Sequence, residues 1–517
     1  MVNKVVKLGL LFDDKLIPAW MYESLKRVLE YDFVITSLLI HSPKTQNNTK
    51  PYLYKMYESI DKKLFSPEYD ASKLKPSKDL FGDINSFDIN DIEKIKNYDL
   101  DIIINLSTLN DISSLQSCVK LGIYSFVGVD EDRFFYDIVS KKPLLQSHFI
   151  CETKDSTLLL STSSSQVLSY STTRDVNEQL WTLASLLPLE LKKLSNLGQY
   201  HYFSTKKTFS LSATKTKSIS NLSMLPELGR FSFRVVKKLI EKKLYKEQWF
   251  LMYKDEEDFS FENMKDYKHI ISPKDVFWAD PFVVEKEDKR YIFIEEEPLN
   301  AHGHISLITL EKDGTYSPST PIIKNDYHMS YPFIFTHEGE YYMVPETSEN
   351  RTVELYKAIS FPHKWEFQQN LMNDIHAVDT TLFFKDEKWW LFTSITEFKG
   401  GWDNGSFSLF FSDDLFGEWS PHPQNPISIN PNHSRMAGSV FEKDEKLYRP
   451  TQNSSKRYGY GFNLEEITEL NTTSYKEKSS CEVIPDFDSE ILGVHTLNYA
   501  KNFTLIDGVK MKKRVKR

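Results

Sequence analysis

In the first part of the chain, apolar runs of strand length alternate with amphipathic stretches of helical periodicity. The run VVKLGLLFD is typical of a buried strand, and AWMYESLKRVLEY after it places its apolar residues on one helical face. The runs DFVITSLLIHS, LDIIINLS and LGIYSFVGVD follow at spacings typical of a parallel sheet. We therefore predict an α/β domain of Rossmann type over residues 1–215. No GxGxxG motif follows its first strand, so a dinucleotide site is not indicated.

From residue 266 the pattern changes to a repeat of β-hairpins. Each unit opens with a short apolar start, which reads WADPFVV, SYPFIF, VDTTLFF, MAGSVF or VHTLNY. In the first four units a charged turn and an aromatic strand follow: RYIFIEE, EYYMVPE, KWWLFTS and KLYRPTQ. The starts recur about every 50 to 60 residues, a period typical of propeller blades. We predict an all-β, five-bladed propeller over residues 266–517, closed by an outer strand from the earlier run QWFLMYK.

The segment between these patterns, residues 216–265, is predicted to hold a basic linker helix and the closing strand. Its apolar residues Val236, Leu239, Ile240 and Leu244 fall on one helical face. Its basic residues are Arg230, Arg234, Lys237, Lys238, Lys242, Lys243 and Lys246. Residues 230–246 therefore fit either peripheral contact with an anionic membrane or an ordinary linker helix between domains. The C-terminal KMKKRVKR adds a second basic patch, or simply a solvated terminus.

The composition narrows the class of protein. Of 517 residues, 40% are hydrophobic and 14% aromatic, which argues against disorder and suits both β-rich cores and sugar-stacking sites. A formal net charge of −9 argues against nucleic acid as a partner. Cys118, Cys151 and Cys481 are too far apart for a disulfide framework or a standard zinc site. The apolar N-terminal run is too short for a signal peptide, so we expect a cytoplasmic protein, at the inner face of the membrane if the basic helix binds lipid.

The repeat predicts where polar side chains of different blades meet. The first residues of each inner strand should lie near the propeller axis, and the second strand should end at the same face. The inner-strand residues expected to converge there are Asp280, Tyr331, Asp379, Arg435 and His495. The second-strand ends should add a ring of Glu295, Glu346, Ser394 and Gln452. Such a site could supply acid and base from residues far apart in the sequence.

Each of these residues also has a simpler interpretation. An aspartate at a strand start can cap a turn, Arg435 can merely neutralise the acids, and His495 can be a hydrogen-bonded core histidine. His302 and His304 are spaced to face one side of a strand, which makes a metal pair one alternative; metal dependence stays open. The interpretation of these residues as an acid–base site rests on the expected convergence of several acids with an arginine and a histidine.

Beyond these patterns, the propeller resembles a known family. WADPF, SYPFIF, YYMVPE, FPHKWEF, VDTTLF, GEWSPHPQNPI, RMAG and GVHTLN occur in order over roughly residues 270–510. Together they resemble the N-terminal propeller region of glucosamine inositolphosphorylceramide transferases and its bacterial relatives. That region is similar to the five-bladed family 43 glycoside hydrolases. The resemblance implies that Asp280 is a general base and that Asp379 orients it and tunes its pKa. Ala437 and Gly438 stand where that family has its general acid, which leaves Glu346 as a replacement acid.

The first 200 residues resemble a degenerate formyltransferase-type domain. The resembling stretches are LGLLFDDKLIPAWMYESL, YDLDIIINLS, GIYSFVGVDEDR and LWTLASLLPLELKKL. Family members commonly read His-His-Gly-Asp after the SF pair, whereas this chain reads Val127-Gly128-Val129-Asp130. The histidines of the catalytic type are absent, so formyl transfer is not expected.

Together these features predict a carbohydrate-active protein of surface-glycan or glycolipid biosynthesis that transfers sugar at the propeller centre. The alternatives are an inverting glycoside hydrolase of family 43 type and a non-catalytic glycan-binding or scaffold protein. The expected catalytic residues are Asp280, Asp379 and Glu346. The expected substrate-binding residues are Trp278, Glu295, Tyr331, Arg435, His495 and His302. The expected partner is a glycan or glycolipid; no cofactor is required, and a sugar nucleotide is compatible as the donor.

Overall fold

The computed structural model describes residues 5–43, 50–82, 84–109, 111–168, 170–210, 218–255, 261, 264–299, 301–401, 405–500 and 502–514. The chain divides into two compact units between Val235 and Val236, and the later segment Phe398–Asn404 groups with the first unit. The first unit is α/β with a mixed sheet, and the second is a five-bladed β-propeller. The predicted fold class is therefore confirmed.

The first unit is built around an eight-stranded sheet. Five strands are parallel, in the order Ser86–Asp88, Val34–His41, Val6–Phe12, Leu100–Asn105 and Val119–Val127. Three antiparallel strands extend one edge: Leu144–Glu152, Thr157–Gln166 and Lys207–Thr208. All six residues of Leu100–Asn105 are buried, as expected for a central parallel strand. The resemblance to formyltransferases stays a prediction.

Helices accompany this sheet and bury their apolar faces. They span Ala19–Leu29, Tyr52–Leu64, Lys78–Phe81, Ile92–Lys96, Glu131–Val139, Thr172–Ala184, Leu186–Leu197 and Gln199–Ser204. A separate two-stranded ribbon pairs Leu16–Pro18 with Leu74–Pro76. A longer helix, Asn221–Leu244, continues from this unit into the second. No helix in the described part of the chain combines the length and apolarity that crossing a bilayer requires.

The first three blades of the propeller are four-stranded antiparallel sheets. The first contains Val276–Lys286, Lys289–Pro298, His304–Leu310 and Thr320–Ile323. The second contains Ser330–His337, Glu340–Thr347, Thr352–Ser360 and Lys364–Asn373. The third contains Ala377–Lys385, Lys388–Ile395, Ser406–Ser412 and Ser420–Pro421. Aromatic and aliphatic side chains fill the space between blades, and Phe282, Tyr331 and Trp389 belong to one buried cluster.

The last two blades depart from this pattern. The fourth contains Phe441–Lys443, Lys446–Asn453, Gly461–Leu470 and Tyr475–Val483, so its inner strand is short. In the fifth, Leu497–Ala500 and Ile491–Gly493 pair with Phe503–Lys513. The strand Tyr245–Asp255, which precedes the first blade, pairs with all of Phe503–Lys513 and carries Lys268–Ile270 on its other edge. The last sheet thus combines strands that precede the first blade with strands that follow the fourth blade.

Candidate functional site

The inner strands of the first three blades bulge at the same place. Their pairing shifts register after Ala279, Ser330 and Val378. The residues that follow, Asp280, Tyr331 and Asp379, have φ of 49°, 43° and 53°. A left-handed backbone is uncommon outside glycine, and is better tolerated by aspartate and asparagine than by other side chains. Each of the first three blades therefore has one side chain that a strained backbone and a bulge turn to a new direction, and bulges of this kind are concentrated next to functional sites.

Tyr331 connects its blade to other blades through hydrogen bonds. Its hydroxyl group accepts from the Gly438 amide at 2.8 Å, and it also lies 3.1 Å from the Gly438 carbonyl and 3.0 Å from the Thr381 hydroxyl. The side chain is fully buried and its hydroxyl group is used in contacts between blades, and substrate binding by Tyr331 stays a prediction. A Cβ on Gly438 would come within 1.9 Å of the Leu497 carbonyl oxygen, which explains why no acidic side chain occupies this position.

Asp379 lies at the centre of a polar network that includes the predicted Glu346 and Arg435. Arg435 Nε donates to Asp379 Oδ2 at 2.7 Å, and Gln452 Nε2 donates to the same oxygen at 3.0 Å. The Asp379 amide donates to Glu346 Oε2 at 3.2 Å, and Arg435 Nη2 lies 3.9 Å from that oxygen. Burial raises the pKa of Asp379 to about 6, although Arg435 opposes the rise. Arg435 precedes the short fourth inner strand, so it lies before the strand start expected for it.

Asp280 contacts His495, which is held between two carboxylates. His495 Nε2 lies 3.2 Å from Asp280 Oδ1, and Nδ1 lies 2.7 Å from Asp507 Oδ2. Asp507 also accepts from the amides of Asp280, His495 and Thr496 at 3.0 to 3.1 Å. Burial opposes the charged imidazolium, but Asp507 and Asp280 raise the pKa of His495 to about 10. Burial raises the pKa of Asp280, a rise that His495 opposes and Asp379 reinforces.

Glu295, at the end of the second strand, forms an ion pair that the sequence did not predict. Its Oε1 lies 3.2 Å from Nε2 of His328. Burial raises the pKa of Glu295 to about 7, with His328 lowering it and Asp280 raising it. The contact with Glu295 raises the pKa of His328 to about 9 against the effect of burial. Glu295 thus combines a titration near neutral pH with electrostatic coupling to Asp280.

This cluster has more acidic than cationic side chains. The carboxyl groups belong to Asp280, Glu295, Glu346, Asp379 and Asp507, and the cations to His328, Arg435 and His495. Burial raises the pKa values of Asp280, Glu295 and Asp379, and neighbouring carboxylates add to the rise, whereas His495 lowers the pKa of Asp507 against the effect of burial. The cluster thus contains carboxyl groups that differ in proton affinity.

Two aromatic residues lie against the cluster. Trp249, on the closing strand, has its ring centroid 4.4 Å from that of His495. Tyr458 lies 5.6 Å from His495 between ring centroids, and the guanidinium carbon of Arg435 is 5.3 Å from its ring centroid. Tyr458 is 46% exposed, whereas Asp280, Glu295 and Asp379 are 7% exposed or less. Tyr458 is therefore the solvent-facing aromatic ring over the buried charges.

Two further predicted substrate-binding residues, Trp278 and His302, have contacts of their own. Trp278 is 2% exposed within the core cluster formed with Ile292 and Leu505, and its indole N–H donates to Glu296, so it cannot stack on a sugar. His302 has a side chain 56% exposed and lies 3.4 Å from Glu349. Glu349 also accepts from the His328 amide at 2.6 Å, so His302 lies near the ion pair of Glu295 and His328. Substrate binding by His302 stays a prediction.

Two groups of described residues bring possible metal ligands within 4.8 Å of one another: Asp280, His495 and Asp507, and Glu295, Glu297 and His328. Neither group includes His302 or His304, and metal dependence stays open. In both groups the histidine has a raised pKa because it contacts carboxylates. A metal would have to displace that proton before the imidazole could bind it.

The first unit contains a cavity of about 630 Å³. It lies at the carboxyl ends of two parallel strands and is lined by segments following Asn105 and Ser125, including the Val127-Gly128-Val129-Asp130 stretch. This edge of a parallel sheet is where α/β folds commonly bind ligands. The Ser125 hydroxyl donates to Glu152 at 3.3 Å, and burial raises the pKa of that carboxyl group. None of the described residues that line the cavity is a histidine.

The missed residues follow the same repeat as those that were predicted. Asp507 occupies the fifth equivalent of the second-strand ring, because FTLID aligns with YIFIE and YRPTQ. His328 stands three residues before Tyr331, and His376 stands three residues before Asp379. Extending the alignment to the fifth blade would have found Asp507, and extending it three residues ahead of each inner-strand position would have found His328. No sequence signal marks Tyr458, whose position depends on its loop.

Residues 267–506 match the family model described as glucosamine inositolphosphorylceramide transferase 1, N-terminal. The chain is 32% identical over 206 residues to glucosamine inositolphosphorylceramide transferase 1 of Arabidopsis thaliana, and 34% identical over 205 residues to that of Oryza sativa subsp. japonica. Each match covers 39% of this chain and 27% of the relative, so the chain spans about a quarter of the length of these proteins. The resemblance of the propeller region is confirmed.

Solved glycoside hydrolases align more distantly. Zg3597, a family 117 enzyme of Zobellia galactanivorans, aligns with a TM-score of 0.34 and 12% identity over 52% of this chain and 90% of its own. The α-L-arabinofuranosidase PaAbf62A of Podospora anserina aligns with a TM-score of 0.35 and 11% identity over 51% of this chain and 97% of its own.

Proposed function

We propose that this chain is a carbohydrate-active enzyme that transfers a sugar to a glycan or glycolipid acceptor at the carboxylate cluster of the propeller. The proposal rests on a cluster of buried acids from different blades. The pKa values of Asp280, Glu295 and Asp379 are raised. Arg435 contacts Asp379, and His495 contacts Asp280. Perturbed carboxyl groups of this kind are concentrated at catalytic sites. The similarity to the transferase family supports the class of reaction.

In the proposed reaction the acceptor hydroxyl loses its proton to Asp280, and the acceptor oxygen forms the new bond to the anomeric carbon of the donor. The bond from that carbon to the donor's phosphate oxygen breaks, and the phosphate leaves with the electron pair. The negative charge of Asp379 raises the pKa of Asp280, which makes Asp280 a stronger base. Arg435 and His328 provide positive charge for an anionic leaving group, as released by a sugar nucleotide. Glu346 is a positioning residue in this scheme, because its carboxylate accepts the Asp379 amide proton.

A specific observation favours hydrolysis as the second candidate. The pKa of Glu295 is raised to about 7, which suits a general acid that protonates a glycosidic oxygen at neutral pH. Water would then replace the acceptor, with Asp280 as base. Glu295 fits this role better than the predicted Glu346, because Glu346 is engaged with Arg435 and the Asp379 amide.

The test is a comparison of Asp280→Asn with the wild-type full chain. Asparagine tolerates the left-handed backbone at this position and removes the base, so the fold should survive while turnover falls by about 100-fold or more. Labelled sugar nucleotides with glycolipid acceptors would report transfer, and aryl glycosides would report hydrolysis. The matched control is Asp313→Asn, an exposed acid on an outer turn of the same blade.

The outcomes separate the candidate functions. Labelled glycolipid formed by the wild type and lost in Asp280→Asn supports transfer. Free sugar released without acceptor supports hydrolysis. Binding of sugar by both proteins without turnover in either would identify a glycan-binding protein and overturn the enzymatic proposal.

A further inference from the structure

The end of the long helix exposes an apolar face in the second unit. Val236, Leu239, Ile240 and Leu244 are 53%, 62%, 51% and 41% exposed. Their spacing of three and four residues places them on one side of the helix. Surface helices of globular proteins normally turn such a face toward the core. A row of four large aliphatic side chains in solvent therefore calls for a binding partner.

The last strand of the fifth blade extends this face. Tyr245 follows the helix directly and pairs with Lys513, and Lys246 pairs with Lys512. The Arg514 amide donates to the Leu244 carbonyl at 2.7 Å, and Arg514 Nε donates to the Tyr245 carbonyl at 3.0 Å. Met511 is 39% exposed and Tyr245 is 37% exposed. Two segments distant in sequence thus form one surface, which we call the basic–apolar surface: residues 236–246 and 511–514.

The charge of the basic–apolar surface contrasts with that of the whole chain. Residues 236–246 contain five basic residues and one acid, Glu241, and residues 511–514 contain three basic residues and no acid. The chain as a whole has a formal net charge of −9. Lys246 is 18% exposed and pairs with Asp275 at 2.7 Å, and Lys237 lies 3.7 Å from Glu241. The remaining cations still give a positive charge beside the exposed apolar side chains. Residues 515–517, the rest of the basic tail, lie outside the described residues.

We propose that the basic–apolar surface docks on an anionic lipid bilayer, with the aliphatic side chains in the headgroup boundary and the lysines on the lipid phosphates. A basic amphipathic helix has this chemistry, and anionic lipid attracts each nearby cation. A second copy of the chain is a poor occupant, because it would bring two strongly positive surfaces together. Nucleic acid would use the cations but leave the aliphatic row uncovered. The proposal is independent of the catalytic one.

Vesicle sedimentation with the full chain tests this assignment. Binding should occur with vesicles of phosphatidylcholine and about 30% phosphatidylglycerol and be weak with phosphatidylcholine alone. It should decrease as NaCl rises from about 0.05 to 0.5 M, because exposed charge is then screened within a few ångströms. Lys242→Gln/Lys243→Gln should weaken binding roughly 30-fold, from the usual contribution of a cation near anionic lipid. Leu239→Ser/Ile240→Ser should weaken it at every salt concentration.

The control is Lys364→Gln/Lys385→Gln, two exposed lysines on other blades, which should bind as the wild type does. Because the substituted side chains are exposed, the variants should retain the thermal transition of the wild type. Equal binding to neutral and anionic vesicles, or equal loss in the control, would overturn the proposal. A dimer in light scattering that Leu239→Ser/Ile240→Ser abolishes, without vesicle binding by the wild type, would assign the surface to a second copy instead.

Discussion

Replacing Arg435 with methionine is expected to destabilise the propeller by an amount that depends on pH. Arg435 Nε lies 2.7 Å from Asp379 Oδ2, and Asp379 is only 2% exposed. Methionine keeps much of the apolar stem but leaves the carboxylate without its cation. Removing one partner of a buried ion pair typically costs about 3–5 kcal/mol.

The pH dependence follows from the pKa of Asp379. Burial raises this pKa to about 6, and Arg435 opposes the rise, so the pKa must rise further without Arg435. A cost of about 3 kcal/mol corresponds to a further rise of roughly two pH units. A raised folded-state pKa means that the folded protein holds a proton that the unfolded chain has lost, so stability falls as pH rises. At pH 5 Asp379 is protonated in both the wild type and Arg435→Met. The difference in their free energies of unfolding should then fall to the cost of the lost packing. At pH 8 most of the cost should be present.

Urea titrations of the full chain at pH 5 and pH 8, followed by tryptophan fluorescence, measure this difference. Six of the nine tryptophans lie in the propeller unit: Trp249, Trp278, Trp365, Trp389, Trp390 and Trp419. Arg435→Lys should lose less because it keeps the charge. Asp379→Asn should restore part of the stability lost in Arg435→Met, because the unpaired charge is gone. Equal costs at both pH values, or no restoration in the double variant, would refute the assigned ion pair.

Three further predictions follow. Glu295→Gln should remove the limb near pH 7 from the pH profile of any glycosyl transfer or hydrolysis, and a retained limb would assign that proton to another group. Gly438→Ala should destabilise the propeller by about 3 kcal/mol or more in urea titrations, since its Cβ would overlap a backbone oxygen, whereas Gly339→Ala has open space and should cost about 1 kcal/mol for its positive φ alone. Residues 240–517 expressed alone should show one cooperative thermal transition, and an insoluble or molten product would show that the propeller depends on the first unit.

The fold could be predicted because the propeller signal is repeated. Five similar starts at a regular spacing imply five equivalent hairpins, even where individual strands are short. The same repeat predicted that Asp280 and Asp379 approach one another, since equivalent positions of all blades point to one axis. The structure adds that both residues share a left-handed backbone, a property visible only when the register shift is known.

The ionisation of the site could not be predicted from the sequence. Asp280 and Glu295 differ little as residue types, but burial, His495 and His328 give them different environments. The direction of the Trp278 side chain could not be predicted either, because a tryptophan near a candidate catalytic acid can face the core instead of the ligand. Trp278 and Asp280 are two residues apart, so regular alternation would place both on one face, and the register shift after Ala279 separates them.

The closing sheet has a consequence for how the protein is made on the ribosome. Tyr245–Asp255 pairs along its full length with Phe503–Lys513, so it emerges from the exit tunnel long before its partner strand. At roughly 5–20 residues per second, the delay is on the order of 10–50 s. During translation this strand has an open edge while four blades assemble beside it, and its ring cannot close until the final strand has been synthesised. Premature release or a stalled message would therefore leave an uncovered strand edge, the substrate that holdase chaperones recognise and that pairs with other nascent chains.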